Sequence, residues 1–111
     1  MTAKKDYPVH PMVINTGIKT FKIEQKALTK ENLYGCVDFP KSLLIIDPNQ
    51  CPEDYKATLL HELCHIGYDI FGLGDDDDIP QISNEYLTTV SSNMVKLLAG
   101  LNKELFHFIF A

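Results

Sequence analysis

The first half of the chain has a hydrophobic pattern typical of β-strands. Apolar side chains among polar ones over residues 18–23 predict a short strand. Residues 33–39 predict a second strand, with Gly35 as a position for a β-bulge. Four consecutive apolar residues at 43–46 are typical of a strand that is buried on both faces. Because only a short turn separates these last two strands, residues 33–47 are expected to form a hairpin.

The second half has apolar residues at helical spacing and predicts two long helices. The first is expected from about Pro52, because proline suits the first helical position, to about Phe71. Its apolar stripe consists of Leu59, Leu63, Ile66 and Ile70. The second is expected over residues 81–99, with a short terminal helix over residues 103–110. The predicted buried stripe of this second helix consists of Leu87, Val90, Met94, Leu97 and Leu101.

This order of elements indicates an α+β fold, in which a small antiparallel β-sheet packs on two main helices. The length of 111 residues corresponds to one domain. Residues 1–16 contain Pro8 and Pro11 and are predicted to form an N-terminal arm or an irregular lead-in. A chain this small has a limited core, so a homodimer that covers apolar surface is left open as an expectation.

The composition argues against several partners and compartments. The formal net charge is −5 and the chain has no arginine, so nucleic acid, which requires clustered basic residues, is not an expected partner. No apolar run approaches the ~18 residues that cross a bilayer, and none follows the N-terminus, so neither a membrane anchor nor a signal peptide is expected. Three cysteines without paired spacing do not indicate a disulfide framework. The expected compartment is therefore the cytoplasm.

Residues 61–65, with the sequence HELCH, form an HExxH motif on the first predicted helix. His61 and His65 are one turn apart on the same helical face, so both imidazoles can bind one zinc ion. Glu62 is rotated by about 100° from His61, which places it at the edge of that face, within reach of a water on the metal. The motif therefore predicts a zinc site with a general base. The alternative is a pair of surface histidines with a chance glutamate between them.

A catalytic zinc site needs a third protein ligand and one open position. A third histidine of the metzincin type is excluded, because Phe71 occupies its place. Glu85 lies 20 residues after His65, and antiparallel packing of the two helices would bring it over the histidines. The simpler role for Glu85 is an acid that stabilises the dipole of its helix. Asp69, one turn beyond His65, is the rival ligand and is preferred as a loop residue or as a residue that orients the site.

The motif HELCH followed by NEYLTT at residues 84–89 resembles the gluzincin clan of zinc peptidases. The segments YGCVDFPKSLLIID and KATLLHELCH are also similar to small phage and prophage proteins called minimal gluzincins. The resemblance spans about residues 33–100. It implies a zincin-like active-site helix, a second helix that bears a glutamate ligand and, for a phage-encoded protein, the cytoplasm of the host.

The resemblance also implies a role for each residue that matches the motifs. The implied ligands of a single zinc ion are His61, His65 and Glu85. Glu62 would be the catalytic base. The strand at residues 34–38 would lie at the edge of the cleft and pair with the extended backbone of a peptide or protein substrate.

Several other polar residues are weaker candidates. Thr89 stands where larger gluzincins have an aspartate that orients the first zinc histidine, and a threonine would hydrogen-bond more weakly. Peptide hydrolysis also needs a donor for the oxyanion, and the sequence leaves open Tyr34, Tyr68, Tyr86 and His107. The preferred role of His107 is a packed terminal histidine, and His10 is interpreted as incidental.

The cysteines and the aspartate run are not expected to carry the chemistry. Cys36, Cys51 and Cys64 are interpreted as small apolar fillers. Residues 75–78 are four aspartates without the ligand spacing of a calcium loop, so they are interpreted as a solvated loop at the mouth of the cleft.

Two classes of function therefore remain. In the first, the chain is a zinc-dependent peptidase that uses Glu62 as general base. In the second, zinc holds the small domain together, and the protein is a binding or regulatory module with little or no peptidase activity. A third hypothesis is a zincin-like protein that keeps the motif but binds no metal.

Overall fold

The computed structural model describes residues 7–28, 33–72 and 84–111, and the side chains of residues 84–88 lie outside this description. The strands are β1 (Val13–Asn15), β2 (Thr20–Gln25), β3 (Gly35–Asp38) and β4 (Leu43–Ile46). The helices are α1 (Pro52–Ile70), α2 (Asn84–Leu101) and α3 (Lys103–Phe110). The described part of the chain is thus a compact α+β structure with a four-stranded sheet, as the order of sequence patterns indicates.

The sheet is mixed, and the prediction of a purely antiparallel sheet is wrong for one pair. Its strand order is β1-β2-β4-β3. The predicted hairpin is confirmed, because β3 and β4 pair antiparallel. However, β4 pairs with β2 in the parallel direction. The reason is that the most apolar strand of the hairpin, β4, takes the interior place, where Leu44 and Ile46 are fully buried, and β3 becomes the edge strand.

The described part of the predicted N-terminal lead-in, residues 7–16, contains regular structure that its prolines do not predict. Strand β1 lies within it and pairs antiparallel with β2. Its outer edge is held by Asn102, whose Oδ1 accepts from the Asn15 N–H at 2.7 Å and whose Nδ2 donates to the Asn15 carbonyl at 2.8 Å. This side chain pairs with the strand as a neighbouring peptide group would, so a three-residue strand is stabilised by a contact that is 87 residues away in the sequence.

The core lies between the sheet and the helices. On α1 the predicted stripe is largely confirmed, because Leu59, Leu63 and Ile66 are buried. On α2 the predicted stripe is wrong in its second half, since Leu97 and Leu101 are about 40% exposed. The buried residues there are Met94 and Leu98.

The close approach of α1 and α2 explains this difference. A Cβ atom at Gly67 of α1 would lie only 2.2 Å from the sulfur of Met94, so the glycine lets the methionine enter the helix surface. Met94 therefore fixes the rotation of α2, and Leu98, one turn later, follows it into the core. Leu87 belongs to the side chains outside the description, and Val90 is half-buried.

Candidate metal centre

Helix α1 carries the HExxH motif, and local signals explain both of its ends. Pro52 occupies the first turn, and Glu53 and Asp54 lie at the positive end of the helix dipole. At the other end, Gly72 has a φ of +71° and donates its N–H to the carbonyl of Asp69. The helix therefore ends close to the predicted position, and residues 61–65 lie well inside it, where the one-turn spacing of the histidines is secured by regular backbone hydrogen bonds.

His61, Glu62 and His65 form a group that could hold a metal ion. Their ligand atoms all lie within 4.8 Å of one another. The two Nε2 atoms face each other at 3.2 Å, with the imidazole rings nearly perpendicular at 78°. Two nitrogens bound at ~2.0–2.1 Å to a tetrahedral zinc ion stand about 3.3–3.4 Å apart. The imidazoles therefore already have the separation that a shared tetrahedral ion requires.

The exposure of the two histidines supports a ligand role over a core role. His61 is exposed and His65 is half-buried. Because both histidines lie on the solvent-facing side of α1, an ion bound to them would keep a coordination position that is accessible to solvent. This confirms the prediction that the two imidazoles are not core residues.

Glu62 is different from its neighbours, because it is only 7% exposed. Burial raises the pKa of its carboxyl group, and the nearby His65 and His61 partly oppose this increase. The sequence places Glu62 at the edge of the polar face, and the structure places it deeper, at the boundary between the histidines and the sheet. A carboxylate with reduced hydration is a stronger proton acceptor than an exposed one.

Gly35 of β3 explains why Glu62 is buried. A Cβ atom at this glycine would lie 2.8 Å from Cγ2 of Thr58 and 3.2 Å from Cγ of Glu62. The backbone of the edge strand therefore rests directly on α1 beside the candidate base. The predicted bulge at Gly35 is wrong, because the register with β4 is continuous from Gly35↔Ile46 to Asp38↔Leu43. The glycine serves close approach instead, which is another common reason for glycine inside a strand.

A shallow cavity of about 390 Å³ adjoins the group. It is lined by Leu33, Tyr34, Gly35, Ala57, Thr58, His61 and Glu62. It thus lies between the N-terminal end of β3 and the face of α1 that carries the first histidine and the glutamate. Tyr34, one of the oxyanion candidates, is 65% exposed and forms part of its wall.

The remaining predicted site residues have different surroundings, and among the described residues Asp69 does not belong to the group that could hold a metal ion. Thr89 and Asp69 are exposed. Tyr68 is half-buried and packs against the hydrophobic core. Glu85 and Tyr86 belong to α2, but their side chains lie outside the described residues, so the third-ligand prediction stays a prediction.

Two histidine interpretations are wrong. His107 is exposed on α3 and is not packed, because the opposite side of this short helix, with Leu105 and Phe106, faces the core. His10 is not incidental. It is buried, and its ring hydrogen-bonds with the hydroxyl of Tyr55 at 2.6 Å.

The three cysteines differ in their surroundings. Cys64 is half-buried against the core, and burial raises the pKa of its thiol, in agreement with the predicted packing role. Cys36 is half-buried in β3. Cys51 is exposed immediately before α1, so the filler interpretation is wrong there. The aspartates at residues 75–78 lie outside the described residues.

The residues that sequence reasoning missed are Gly35 as the contact with α1, and Thr58 as its partner. A glycine within a strand is the only signal of such an approach, and the sequence does not say which helix approaches.

Among the described residues, no helix combines the length and apolar character needed to cross a bilayer. Comparison of the chain with protein-family models, with curated proteins and with solved structures gave no match.

Proposed function

We propose that this chain is a zinc-dependent peptidase of the minimal gluzincin type. The single observation that carries the proposal is the pair of imidazole nitrogens 3.2 Å apart beside a glutamate that is only 7% exposed. One Nε2–H can donate to the other Nε2 at this distance, and a metal ion that replaced this hydrogen would be bound by both nitrogens on an accessible helix face. A buried carboxylate next to them has the position of a general base.

In this proposal, His61 and His65 hold the ion, and Glu85 of α2 is the third ligand. Zinc when bound supplies a Lewis acid that lowers the pKa of its water and polarises a carbonyl oxygen. Glu62 accepts the proton of the attacking water at a carboxylate oxygen. It then donates this proton to the nitrogen of the scissile amide, so that the amine leaves in neutral form.

The edge strand supplies the place for an extended substrate. Strand β3 lies at one end of the sheet order, and the cavity at its N-terminal end opens toward His61 and Glu62. A peptide that pairs with an edge strand gains main-chain hydrogen bonds that do not depend on its side chains. We therefore propose that a peptide or protein substrate binds along residues 34–38.

The experiment is to compare Glu62→Gln with the wild type. Zinc content is measured by elemental analysis, and turnover is measured on a library of quenched fluorescent octapeptides. Because glutamine cannot accept the proton, turnover is expected to fall by about 10²–10⁴-fold. Zinc content should stay unchanged. The matched control is Glu53→Gln, which alters an exposed glutamate in the first turn of the same helix and should leave both quantities unchanged.

If Glu62→Gln cleaves as fast as the wild type, the proposed mechanism is wrong. A wild-type protein that retains zinc, melts when the metal is chelated and cleaves none of the peptides would instead be the zinc-stabilised binding module. A wild-type protein that retains no zinc would rule out both.

A further inference from the structure

Gln50 connects the edge strand of the cleft to the helix that carries the candidate metal ligands. It lies in the short link between β4 and α1, and its side-chain amide contacts three segments. Its Nε2 donates to the carbonyl of Asp47 at 2.8 Å and to that of Tyr34 at 3.3 Å. Its Oε1 accepts from the hydroxyl of Thr58 at 2.8 Å. One side chain thus spans the start of β3, the end of β4 and the middle of α1.

The segment that enters β3 is held at one backbone atom. The carbonyl oxygen of Tyr34 accepts from Gln50 and also from the backbone N–H of Asp47, at 2.9 Å. The second of these bonds extends the pairing of β3 with β4 by one step. The first ties the same atom to the link before α1. The position of Tyr34, which forms a wall of the cavity, therefore depends on both the sheet and the Gln50 side chain.

Thr58 links Gln50 to the edge strand through two different groups of its side chain. Its hydroxyl donates to Gln50, and its methyl group Cγ2 lies against Gly35. The hydrogen bond therefore selects the side-chain rotation in which the methyl group supports the edge strand. Thr58 is one helical turn before Glu62, and both residues contact the same glycine. Gln50 thus acts on β3 from two sides, through the Tyr34 carbonyl and through the Thr58 methyl group.

We propose that Gln50 is a positioning residue that seats β3 on α1 and thereby sets the affinity for a peptide bound along this strand. This inference rests on the proposed function, because it names the residue that shapes the substrate cleft of the same site. Gln50 contacts neither imidazole nor the Glu62 carboxylate through its hydrogen bonds. Its loss should therefore weaken substrate binding without removing the metal or the base.

The test uses two variants that break different halves of the connection. Gln50→Glu keeps an acceptor for Thr58 but replaces the donor to the two carbonyls with an oxygen. Thr58→Val keeps the shape of the threonine but removes its hydroxyl. For both, KM for the best octapeptide of the library should rise about tenfold with kcat within about twofold, as expected for an interaction made equally in the ground state and the transition state. Zinc content should not change.

Two further variants separate this role from general stability. Thr58→Ser keeps the hydrogen bond to Gln50 but removes the methyl group that lies against Gly35, so its KM should lie between those of the wild type and Thr58→Val. Thr20→Val removes an exposed threonine hydroxyl from β2 and is the matched control for Thr58→Val. A KM that rises equally in Thr20→Val and Thr58→Val would overturn the proposal, and so would an unchanged KM in Gln50→Glu. Loss of zinc from Gln50→Glu would also overturn it, because the residue would then act on the metal site.

A second measurement does not require activity. The amide of Asp47 is protected by the Tyr34 carbonyl, so its hydrogen exchange reports whether the start of β3 is seated. Exchange at Asp47 should be about tenfold faster in Gln50→Glu and Thr58→Val, while Leu63 in the middle of α1 keeps its wild-type rate. If the wild type proves inactive, the proposed function fails, and this measurement still decides whether Gln50 positions β3. Unchanged exchange at Asp47 in both variants would overturn the positioning role.

Discussion

His10 packs against α1 and the His61–His65 pair belongs to it, yet the two kinds of histidine differ in burial and in the partners of their ring nitrogens. The ring of His10 is buried, and each of its nitrogens has a protein partner. Nδ1 lies 2.8 Å from the carbonyl oxygen of Pro11, which can only accept, so Nδ1 carries the hydrogen. Nε2 then accepts from the Tyr55 hydroxyl. His10 is fully satisfied and is fixed as a neutral ring.

The other two imidazoles are partnered in a different way. Their Nε2 atoms face each other across 3.2 Å on the accessible side of α1. At this distance one Nε2 can donate a hydrogen to the other, and a metal ion bound by both nitrogens would replace that hydrogen, whereas the lone pair of His10 is already used by the hydroxyl hydrogen of the buried Tyr55. The comparison teaches that the partners of the ring nitrogens distinguish a structural histidine from a candidate ligand more clearly than sequence position does.

The largest effect is expected where the two kinds of histidine should differ most, in metal affinity. Replacement of His61 by alanine should lower zinc affinity by more than about 100-fold, since loss of a residue that only supports a ligand already costs ~10–100-fold. Affinity is measured by competition with a chromogenic chelator. His10→Ala and His107→Ala should both bind zinc as the wild type does. Equal zinc affinity in His61→Ala and the wild type would remove His61 from the site.

The second largest effect concerns stability, and here the buried His10 should matter more than an exposed histidine. His10→Ala should lower the free energy of unfolding by about 1–3 kcal/mol, since the Tyr55 hydroxyl loses its acceptor inside the core. The loss also removes a ring contact with Phe108 of α3, at a centroid distance of 4.8 Å. The measurement is urea denaturation of the metal-free protein.

His107→Ala is the matched control for this stability effect, because it alters an exposed histidine and should stay within about 0.5 kcal/mol of the wild type. If His10→Ala were as stable as this control, the hydrogen bonds of His10 with Tyr55 and Pro11 would not stabilise the N-terminal segment.

The same contrast shows how far the sequence could be used to predict the molecule. The HExxH spacing depends only on the helix repeat, so a local pattern was sufficient to predict that both imidazoles share a face. The hairpin of β3 and β4 and both ends of α1 are also local, since a turn, a proline and a glycine specify them. These predictions are confirmed because each depends on residues that are close in sequence.

The contacts that could not be predicted depend on distant partners. His10 looks incidental until Tyr55, 45 residues later, is folded beside it. The parallel pairing of β2 and β4 depends on which strand of the hairpin lies in the interior of the sheet. The rotation of α2 depends on the space that Gly67 leaves for Met94. The contact of Gly35 with α1 belongs to the same class. Such contacts have no periodic signature in the sequence.

The smallest effect, and the most specific to His10, is on the pH dependence of stability. Burial lowers the pKa of His10 from its ordinary value of 6.5, and its hydrogen bond to the Pro11 carbonyl only partly opposes this. Protonation would turn Nε2 into a donor that faces the Tyr55 hydroxyl, which already accepts from Gln25 at 3.0 Å. The Lys56 ammonium, 5.2 Å from the centroid of the Phe108 ring that contacts His10, adds a positive charge nearby.

Because the folded-state pKa is lower than the unfolded-state pKa, the unfolded chain binds the proton first as the pH falls. The free energy of unfolding should therefore be constant for this group above pH 6.5 and decrease as the pH falls below that value. The measurement is urea denaturation of the metal-free protein at a series of pH values, with His10→Gln as the comparison. Glutamine cannot titrate, so its curve should be flatter between the two pKa values. Parallel curves for His10→Gln and the wild type would show that His10 has the same pKa in the folded and the unfolded chain, as an exposed histidine does, and the distinction between the two kinds of histidine would then disappear.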